Sequence, residues 1–246
     1  MDPKHEAIAL LVDRATLLRH AGAILDILRD DRNPRRASDA AQHAITSLDR
    51  LLAASSSGTP ALACAKGCSI CCHNWVSATA PEIFLLARAA RADAAAPARI
   101  RTAAMASDGM TRAVRVAGAA ACALLQQDLC SVYAARPLVC RAFVSTSLDA
   151  CRAAFSGGPD RIPMPGNFVG LRVAHNHALW AALRATGLPD ASYELNAAIA
   201  RIIEDEEAEA RWLAGEDVFA DIAIDDAEDA AAAEFTRTLA AELSGG

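Results

Sequence analysis

Long hydrophobic runs, lysine and aromatic residues are scarce in this chain of 246 residues. The longest run of small apolar residues, Val116 to Leu125, is far shorter than the roughly 20 residues that a membrane-spanning helix needs, so we expect no transmembrane helix. Residues 1–30 carry charges among their apolar positions and lack the uninterrupted stretch of a secretory signal peptide. This pattern favours a cytoplasmic location.

An excess of basic residues is missing as well. The formal net charge is -6, which predicts neither a nucleic-acid partner nor an anionic membrane surface as a partner. The sequence contains no glycine-rich phosphate loop, and no set of serine, histidine and acid stands out for nucleophilic catalysis. The common phosphate-binding and hydrolytic enzyme classes therefore find no support.

Alternating β-branched residues are also rare, whereas alanine, leucine and arginine dominate. We therefore expect an all-α protein: one compact helical domain over residues 1–246, with a cysteine-rich, loop-rich metal-binding insertion at 61–165. Residues 215–246 read as an acidic, loosely attached C-terminal tail. An apolar stripe predicts a first helix that ends near Asn33 and Pro34, with core positions at Ile8, Leu11, Ala15, Leu18, Leu25 and Leu28.

Capping residues predict where further helices begin. Ser38 is expected to cap a helix that runs to about Ala54, and Thr79 with Glu82 forms a capping box for a helix to about Ala95. Three more helices are expected at about 97–116, 167–186 and 192–214.

Cysteine, in contrast, is abundant and clustered. Four of the eight cysteines form the pattern C-x3-C-x2-C-C, and the other four follow within a loop-rich region. A chain of this length buries enough surface to fold without disulfides, and in a reducing compartment clustered thiols more often hold a metal. The sequence therefore predicts a metal site built from Cys64, Cys68, Cys71, Cys72, Cys122, Cys130, Cys140 and Cys151.

The spacing of the first group indicates how it would bind. Cys64, Cys68 and Cys71 can converge from one tight turn, because Gly67 allows the backbone to bend sharply. The adjacent Cys72 is expected to project in a different direction and to serve a second ion or pack in the core. Soft thiolates bind zinc or an iron–sulfur cluster, and eight of them make two tetrathiolate sites or one cluster with spare ligands. The sequence leaves both arrangements open.

The same residues carry a resemblance to a known family. After Cys122 comes a segment in which Tyr133, Arg136, Pro137 and Arg141 accompany Cys130 and Cys140 in the order C-x2-Y-x2-R-P-x2-C-R. Residues 64–151 thus resemble the CxxCxxCC family of zinc- or iron-chelating proteins, also called the YkgJ-type cysteine-cluster family. The resemblance implies metal chelation by the cysteines and a distant relation to flagellin lysine N-methylase, a family member associated with an iron–sulfur centre.

Two arginines in this segment have a physical role of their own. Several thiolates on one metal leave net negative charge, which Arg136 and Arg141 can offset. Pro137 suits the first turn of a short helix, which would place Cys140 where the helix dipole favours an anionic sulfur. The alternative is that both arginines simply face the solvent.

Three functions from different classes are compatible with these patterns. The first is a metal-binding protein that uses an iron–sulfur cluster or zinc in metal handling, redox sensing or electron transfer. The second is a cluster-dependent enzyme that modifies a protein with S-adenosylmethionine, since radical enzymes of that kind share the C-x3-C-x2-C spacing, although they build it into an α/β barrel. The third is a structural zinc module in a helical interaction domain. The shared spacing tilts the choice of cofactor slightly toward the iron–sulfur cluster.

Overall fold

The structure is a computed structural model that describes residues 12–158, 161–222 and 230–245. The fold is all-α, as the composition predicts. Within the described ranges its helices are α1 (Arg14–Arg29), α2 (Arg36–Ala54), α3 (Ala80–Ala90), α4 (Ala96–Ser107), α5 (Arg112–Val114), α6 (Leu138–Ala142), α7 (Leu148–Ala154), α8 (Gly166–Thr186), α9 (Leu195–Ile202), α10 (Ala208–Leu213) and α11 (Ala230–Ser244). None of these helices is long and apolar enough to cross a bilayer.

The described strands are very short and form two-stranded pairs. They are β1 (Ser77–Thr79), β2 (Leu125–Gln126), β3 (Leu129–Cys130) and β4 (Ser192–Glu194). β1 pairs antiparallel with β4 so that Ser77 lies opposite Glu194, and β2 pairs antiparallel with β3. The two residues between β2 and β3 have φ angles of 48° and 60°, the left-handed conformation that a two-residue hairpin turn requires.

Five helices make a continuous apolar core. We call α1, α2, α3, α8 and α11 the helical frame: α8 packs on α1, α2 and α11, and α2 also packs on α1 and α3. Ile24, Leu48 and Leu179 are each at most 1% exposed in its interior. Burial of these aliphatic side chains is the main source of the stability of the frame.

The first two helices differ in detail from the sequence prediction. The buried face of α1 is Leu17, Ala21, Ile24, Leu25 and Leu28, whereas Ile8 and Leu11 lie outside the described residues. The prediction that Ser38 caps α2 is wrong, because α2 begins at Arg36 and Ser38 lies inside its first turn. The backbone N–H of Ser38 donates instead to a carboxylate oxygen of Glu209 at 2.7 Å.

Later helices follow the capping signals but are shorter. The capping box at Thr79 and Glu82 is confirmed, and it starts α3. The single helix expected at 97–116 is interrupted after Ser107, where Gly109 adopts a positive φ of 65°. The helix expected at 192–214 is divided among β4, α9 and α10, because Ser192–Glu194 pairs with β1.

The region from residue 215 onward includes α11. This helix packs along α8 and buries Thr236 and Leu239 completely, and Arg14 of α1 forms an ion pair with Glu242. The acidic residues Asp225, Asp226, Glu228 and Asp229 lie outside the described residues.

Candidate metal centre

The cysteines lie mainly in two stretches of loops and short elements, residues 61–76 and 120–158, which we call the cysteine loops. Backbone contacts join the two stretches. The N–H of Ala63 donates to the carbonyl of Ser145 at 2.8 Å, and the N–H of Ser145 donates to the Cys64 sulfur at 3.3 Å. The first cysteine is thereby attached to the connection between α6 and α7.

The first cysteine group follows a sharp bend. Gly67 has a φ of 90°, which confirms the bend that the sequence predicts, and the N–H of Cys68 closes the turn on the carbonyl of Ala65 at 3.0 Å. Cys71 and Cys72 then lie on a 3₁₀ turn, Ile70–His73.

The expectation that Cys71 and Cys72 project apart is wrong. A hydrogen bond between the two thiols, followed by burial, raises the pKa of Cys71 far above its usual range.

Cys122 and Cys130 approach from the second loop stretch. The N–H of Cys122 donates to the carbonyl of Cys72 at 2.7 Å, so the two backbones are in direct contact. Burial raises the pKa of the Cys122 thiol to about 11, and burial also raises the pKa of Cys130, which lies on β3. The hairpin of β2 and β3 therefore presents its cysteine beside the first group.

Cys140 and Cys151 lie on two short helices. Pro137 is the capping residue just before α6, and the N–H of Cys140 donates to its carbonyl at 3.0 Å. The pKa of Cys140 is raised well above its usual range, first by burial and then by the neighbouring Cys122 and Cys71. Cys151 lies on α7, which packs against the 3₁₀ turn of Cys71 and Cys72.

Electrostatic neighbours connect the eight thiols into one network. After burial, the pKa of Cys64 is raised by Cys68, Cys71 and Cys151, whereas that of Cys140 is raised by Cys122, Cys71 and Cys130. Cys71 thus raises the pKa of both Cys64 and Cys140, and it interacts directly with Cys72. All eight cysteines are free, and Cys64 alone among them is exposed. Early and late cysteines therefore lie close enough to raise one another's pKa.

The described cysteines do not form a metal coordination sphere in this structure. Across residues 12–158, 161–222 and 230–245, no three Cys, His, Asp or Glu side chains surround a common point as metal ligands would. The donor chemistry nevertheless fits a soft metal, since thiol sulfur is the preferred ligand of zinc and of iron–sulfur clusters.

Arg141 is a buried part of this region, so the interpretation that it faces solvent is wrong. Its guanidinium donates to the Arg136 carbonyl at 2.8 Å, to the Asp49 carboxylate at 2.5 Å and to the Ala134 carbonyl. Because Asp49 belongs to α2, Arg141 connects the cysteine loops to the helical frame.

Arg136 lies closer to the thiols. Its guanidinium stacks 3.7 Å from the centre of the Tyr133 ring, and its charge lowers the pKa of Cys71, Cys130 and Cys140 against the effect of burial. Its buried Nε has no hydrogen-bond partner within the described part of the chain. The side chain is therefore placed where it can favour thiolates.

Three buried polar residues, Arg115, Glu194 and Asn196, contact the backbone on either side of Cys122 or each other, and the sequence did not single them out. The guanidinium of Arg115, 1% exposed, donates to the carbonyl of Ala120 at 3.0 Å and pairs with Glu194 at 3.1 Å. Asn196, fully buried, accepts from the N–H of Ala123 at 2.8 Å. The one available signal was a single arginine between Val114 and Val116, which looks like a solvated position until the packing is known.

Comparison with known proteins agrees with this picture. Residues 63–156 match the family model CxxCxxCC, described as a "putative zinc- or iron-chelating domain". The matched segment includes all eight cysteines, which confirms the resemblance that their spacing carries. No curated protein and no solved structure matches the chain.

Proposed function

From the CxxCxxCC domain at residues 63–156, we propose that this chain binds an iron–sulfur cluster or zinc and acts in metal handling, redox sensing or electron transfer. We favour the iron–sulfur cluster because of the C-x3-C-x2-C spacing of the first cysteines. A reducing compartment such as the cytoplasm would keep the thiols free, and we place the protein there. The proposed ligands are drawn from Cys64, Cys68, Cys71, Cys72, Cys122, Cys130, Cys140 and Cys151.

The observation that supports this proposal is that backbone contacts hold cysteine segments distant in sequence against one another. The N–H of Cys122 donates to the carbonyl of Cys72, and the N–H of Ser145 donates to the Cys64 sulfur. The 3₁₀ turn, the hairpin of β2 and β3, α6 and α7 each carry at least one cysteine, and cysteines from several of these segments raise the pKa of Cys64 and of Cys140. A buried group of free thiols costs little when protonated, but gathering eight of them brings no packing advantage over aliphatic side chains. Metal binding supplies the reason for the cluster.

The charges of the region support the same proposal. Burial and neighbouring thiols raise the pKa of Cys64, Cys71 and Cys140, so these groups hold their protons until a cation replaces them. Arg136 and Arg141 would then offset part of the negative charge that four thiolates leave on one ion.

Elemental analysis of protein purified without oxygen tests the proposal. We expect iron with acid-labile sulfide and visible absorption, or stoichiometric zinc in colourless protein. A preparation that contains neither metal and takes up neither on reconstitution would contradict the proposal.

Two cysteine variants test the ligand assignment. Cys68→Ser and Cys140→Ser should each lower the metal content and speed amide hydrogen exchange in the cysteine loops, while α1 and α2 stay protected. Ser56→Ala, a change at an exposed residue of the loop after α2, is the matched control and should keep the wild-type metal content. Full metal content in both cysteine variants would refute the assignment.

A structural zinc module is the second candidate, and the placement of the cysteines favours it over an enzyme. Seven of the eight are partly buried between segments that are distant in sequence, so a bound ion would cross-link them. The described strands form two-stranded pairs, unlike the α/β barrel of radical S-adenosylmethionine enzymes. Stoichiometric zinc without any redox-active absorption would select the structural module.

A further inference from the structure

A cavity of about 340 Å³ lies between α8 and the sheet of β1 and β4. Its polar lining includes Thr79, Glu82, Arg172, Asn176 and Ser192. The cavity also reaches α6 through Val139, the residue before Cys140, but none of the cysteines lines it. It is a separate site whose function the metal proposal does not explain.

One face of α8 supplies most of the chemistry of the cavity. Arg172, Asn176, Leu179 and Trp180 follow one another at spacings of four, three and one, which places them along one side of a helix. The side chains therefore point into the same space, and their positions are set by a rigid helix of the frame.

No counterion for Arg172 lies in the part of the chain that the structure describes. Within the described ranges its guanidinium makes no hydrogen bond or ion pair, although the side chain is half-buried and burial lowers its pKa. Its guanidinium nitrogens are not among the fully buried atoms, so an acceptor that enters the cavity can reach them. The other arginine of the cavity, Arg184, forms an ion pair with Asp190 and donates to the carbonyl of Ala233.

A second lining residue of the cavity also has a donor without a described acceptor. The indole Nε1 of Trp180 is buried and has no acceptor among the described residues. An indole N–H in an apolar wall normally finds a partner. Two lining residues of the cavity, Arg172 and Trp180, thus each carry a donor without an acceptor among the described residues.

The acidic residues of the cavity do not satisfy these donors. Both oxygens of Glu82 are used, since one accepts from the N–H and hydroxyl of Thr79 at 2.9 and 2.8 Å and the other accepts from the N–H of Leu138 at 2.9 Å. Burial also raises the pKa of Glu82, whereas these hydrogen bonds lower it. Asp190 already pairs with Arg184.

We propose that this cavity binds a small organic molecule that carries one carboxylate. The planar guanidinium of Arg172 would hold the carboxylate in a two-point contact, and the indole N–H of Trp180 would donate to the same ligand. Ala78, Val139 and Leu179 provide an apolar wall for the body of the ligand. A single cation without a counterion matches a monoanion better than a phosphate, which carries nearly two charges. The proposal is independent of the metal.

Matched pairs of acids and amides test the charge requirement. Acetate, butyrate and benzoate are titrated against acetamide, butyramide and benzamide, and inorganic phosphate is included, with melting temperature and tryptophan fluorescence as readouts. At least one acid should raise the melting temperature and alter the fluorescence, while its amide does neither. Equal effects of acid and amide, no effect of any acid, or a stronger effect of phosphate would each overturn the proposal.

Variants at the cavity locate the binding. Arg172→Gln should weaken binding of the active acid by about tenfold or more, because a hydrogen bond to a charged group is lost, and it should fold at least as stably as the wild type without ligand. Trp180→Phe should remove the fluorescence response, whereas Trp75→Phe, the matched control outside the cavity, should keep it.

An internal carboxylate provides a third variant. Asn176→Asp places an acid one helical turn from Arg172, so it should raise the melting temperature and abolish the response to the acid. Binding that survives both Arg172→Gln and Asn176→Asp would refute the assignment. Metal content is measured on the same samples and should not change, so that failure of this proposal is distinguishable from failure of the metal proposal.

Discussion

The helical frame and the cysteine loops are stabilised by different means. The frame consists of helices of 11 to 21 residues whose aliphatic side chains are buried against one another. In the cysteine loops the helices have 5 and 7 residues and the strands have 2. Here buried charged groups, above all Arg115 and Arg141, hold the backbone through its carbonyl groups. Apolar packing stabilises the first region, whereas in the second these polar contacts add to the packing of apolar residues such as Leu124 and Leu138.

Glu82 shows how the two regions are joined. Its carboxylate closes the capping box of α3 in the frame and also accepts from the backbone N–H of Leu138 at the start of α6, which carries Cys140. A helix cap that the sequence predicts correctly thus has a second role in positioning the cysteine loops.

The largest effect is expected from Arg115→Met, which breaks the buried pair with Glu194 and frees the carbonyl of Ala120. Removing one partner of such a pair costs about 3–5 kcal/mol, because the remaining charge stays buried. Urea unfolding followed by circular dichroism measures the loss. Arg101→Met, at an exposed pair with Glu204, is the control and should cost about 1 kcal/mol or less. Equal decreases in the free energy of unfolding in the two variants would contradict the stabilising role that we assign to Arg115.

Leu48→Ala should lower the free energy of unfolding by about 2–5 kcal/mol, because it opens a cavity at a fully buried position of α2. The metal content per folded molecule should stay at the wild-type level, the reverse of the result expected for Cys140→Ser. Unfolding curves and elemental analysis of Leu48→Ala and Cys140→Ser test whether stability and metal content change separately. Loss of metal in Leu48→Ala would show that the two regions are not independently stabilised.

Glu82→Gln should cost about 1–3 kcal/mol, because an amide keeps only one acceptor oxygen for the N–H groups of Thr79 and Leu138. Hydrogen exchange at the N–H of Leu138 should accelerate more than exchange in the middle of α8. Thr79→Ser, which keeps the hydroxyl, is the control. Unchanged exchange at Leu138 would remove Glu82 as the connection between frame and loops.

The smallest effect on stability at neutral pH is expected from a histidine cluster in the helical frame. This effect grows as the pH falls. His20 lies 4.4 Å from His175 and 5.7 Å from His43 between ring centres. Burial, and then the charges of His175 and His43, lower the pKa of His20 to about 3.

The sign of the pH effect follows from this shift. Below a pH of about 6.5, His20 binds a proton in the unfolded chain but stays neutral in the folded protein. The free energy of unfolding therefore falls as the pH decreases from about 6.5 toward 3. The contribution is up to about 1.4 kcal/mol for each pH unit. Urea unfolding between pH 7 and 4 should show a flatter dependence for His20→Phe than for the wild type. Parallel curves would contradict the assignment.

Several features of the fold and site were predictable from sequence because their causes are local. Alanine-rich segments favour helix over short distances, and the capping box at Thr79 and Glu82 depends on residues three apart. The bend at Gly67 likewise follows from one residue and its neighbours. The metal-binding character of the segment was predictable because the cysteine spacing is itself a local pattern.

Other features were decided by contacts that no local pattern encodes. Ser38 lies inside the first turn of α2, where its N–H donates to Glu209. Residues 192–194, expected to begin a helix, instead form β4, which pairs with β1 far away in sequence. The expected helix at 97–116 ended early at Gly109. The sequence marks such residues as polar or as turn formers, but their partners appear only when the chain folds.

The sequence by itself determined the helical character of this protein and the clustering of its cysteines along the chain, since propensity and spacing act within a few residues. Only the tertiary structure decided that Cys72 and Cys122 meet, that Arg115 is buried against Glu194, and that Arg172 faces a cavity without a counterion. The physical reason is that burial and charge pairing depend on which distant segments pack together, and that choice is made by the whole hydrophobic core.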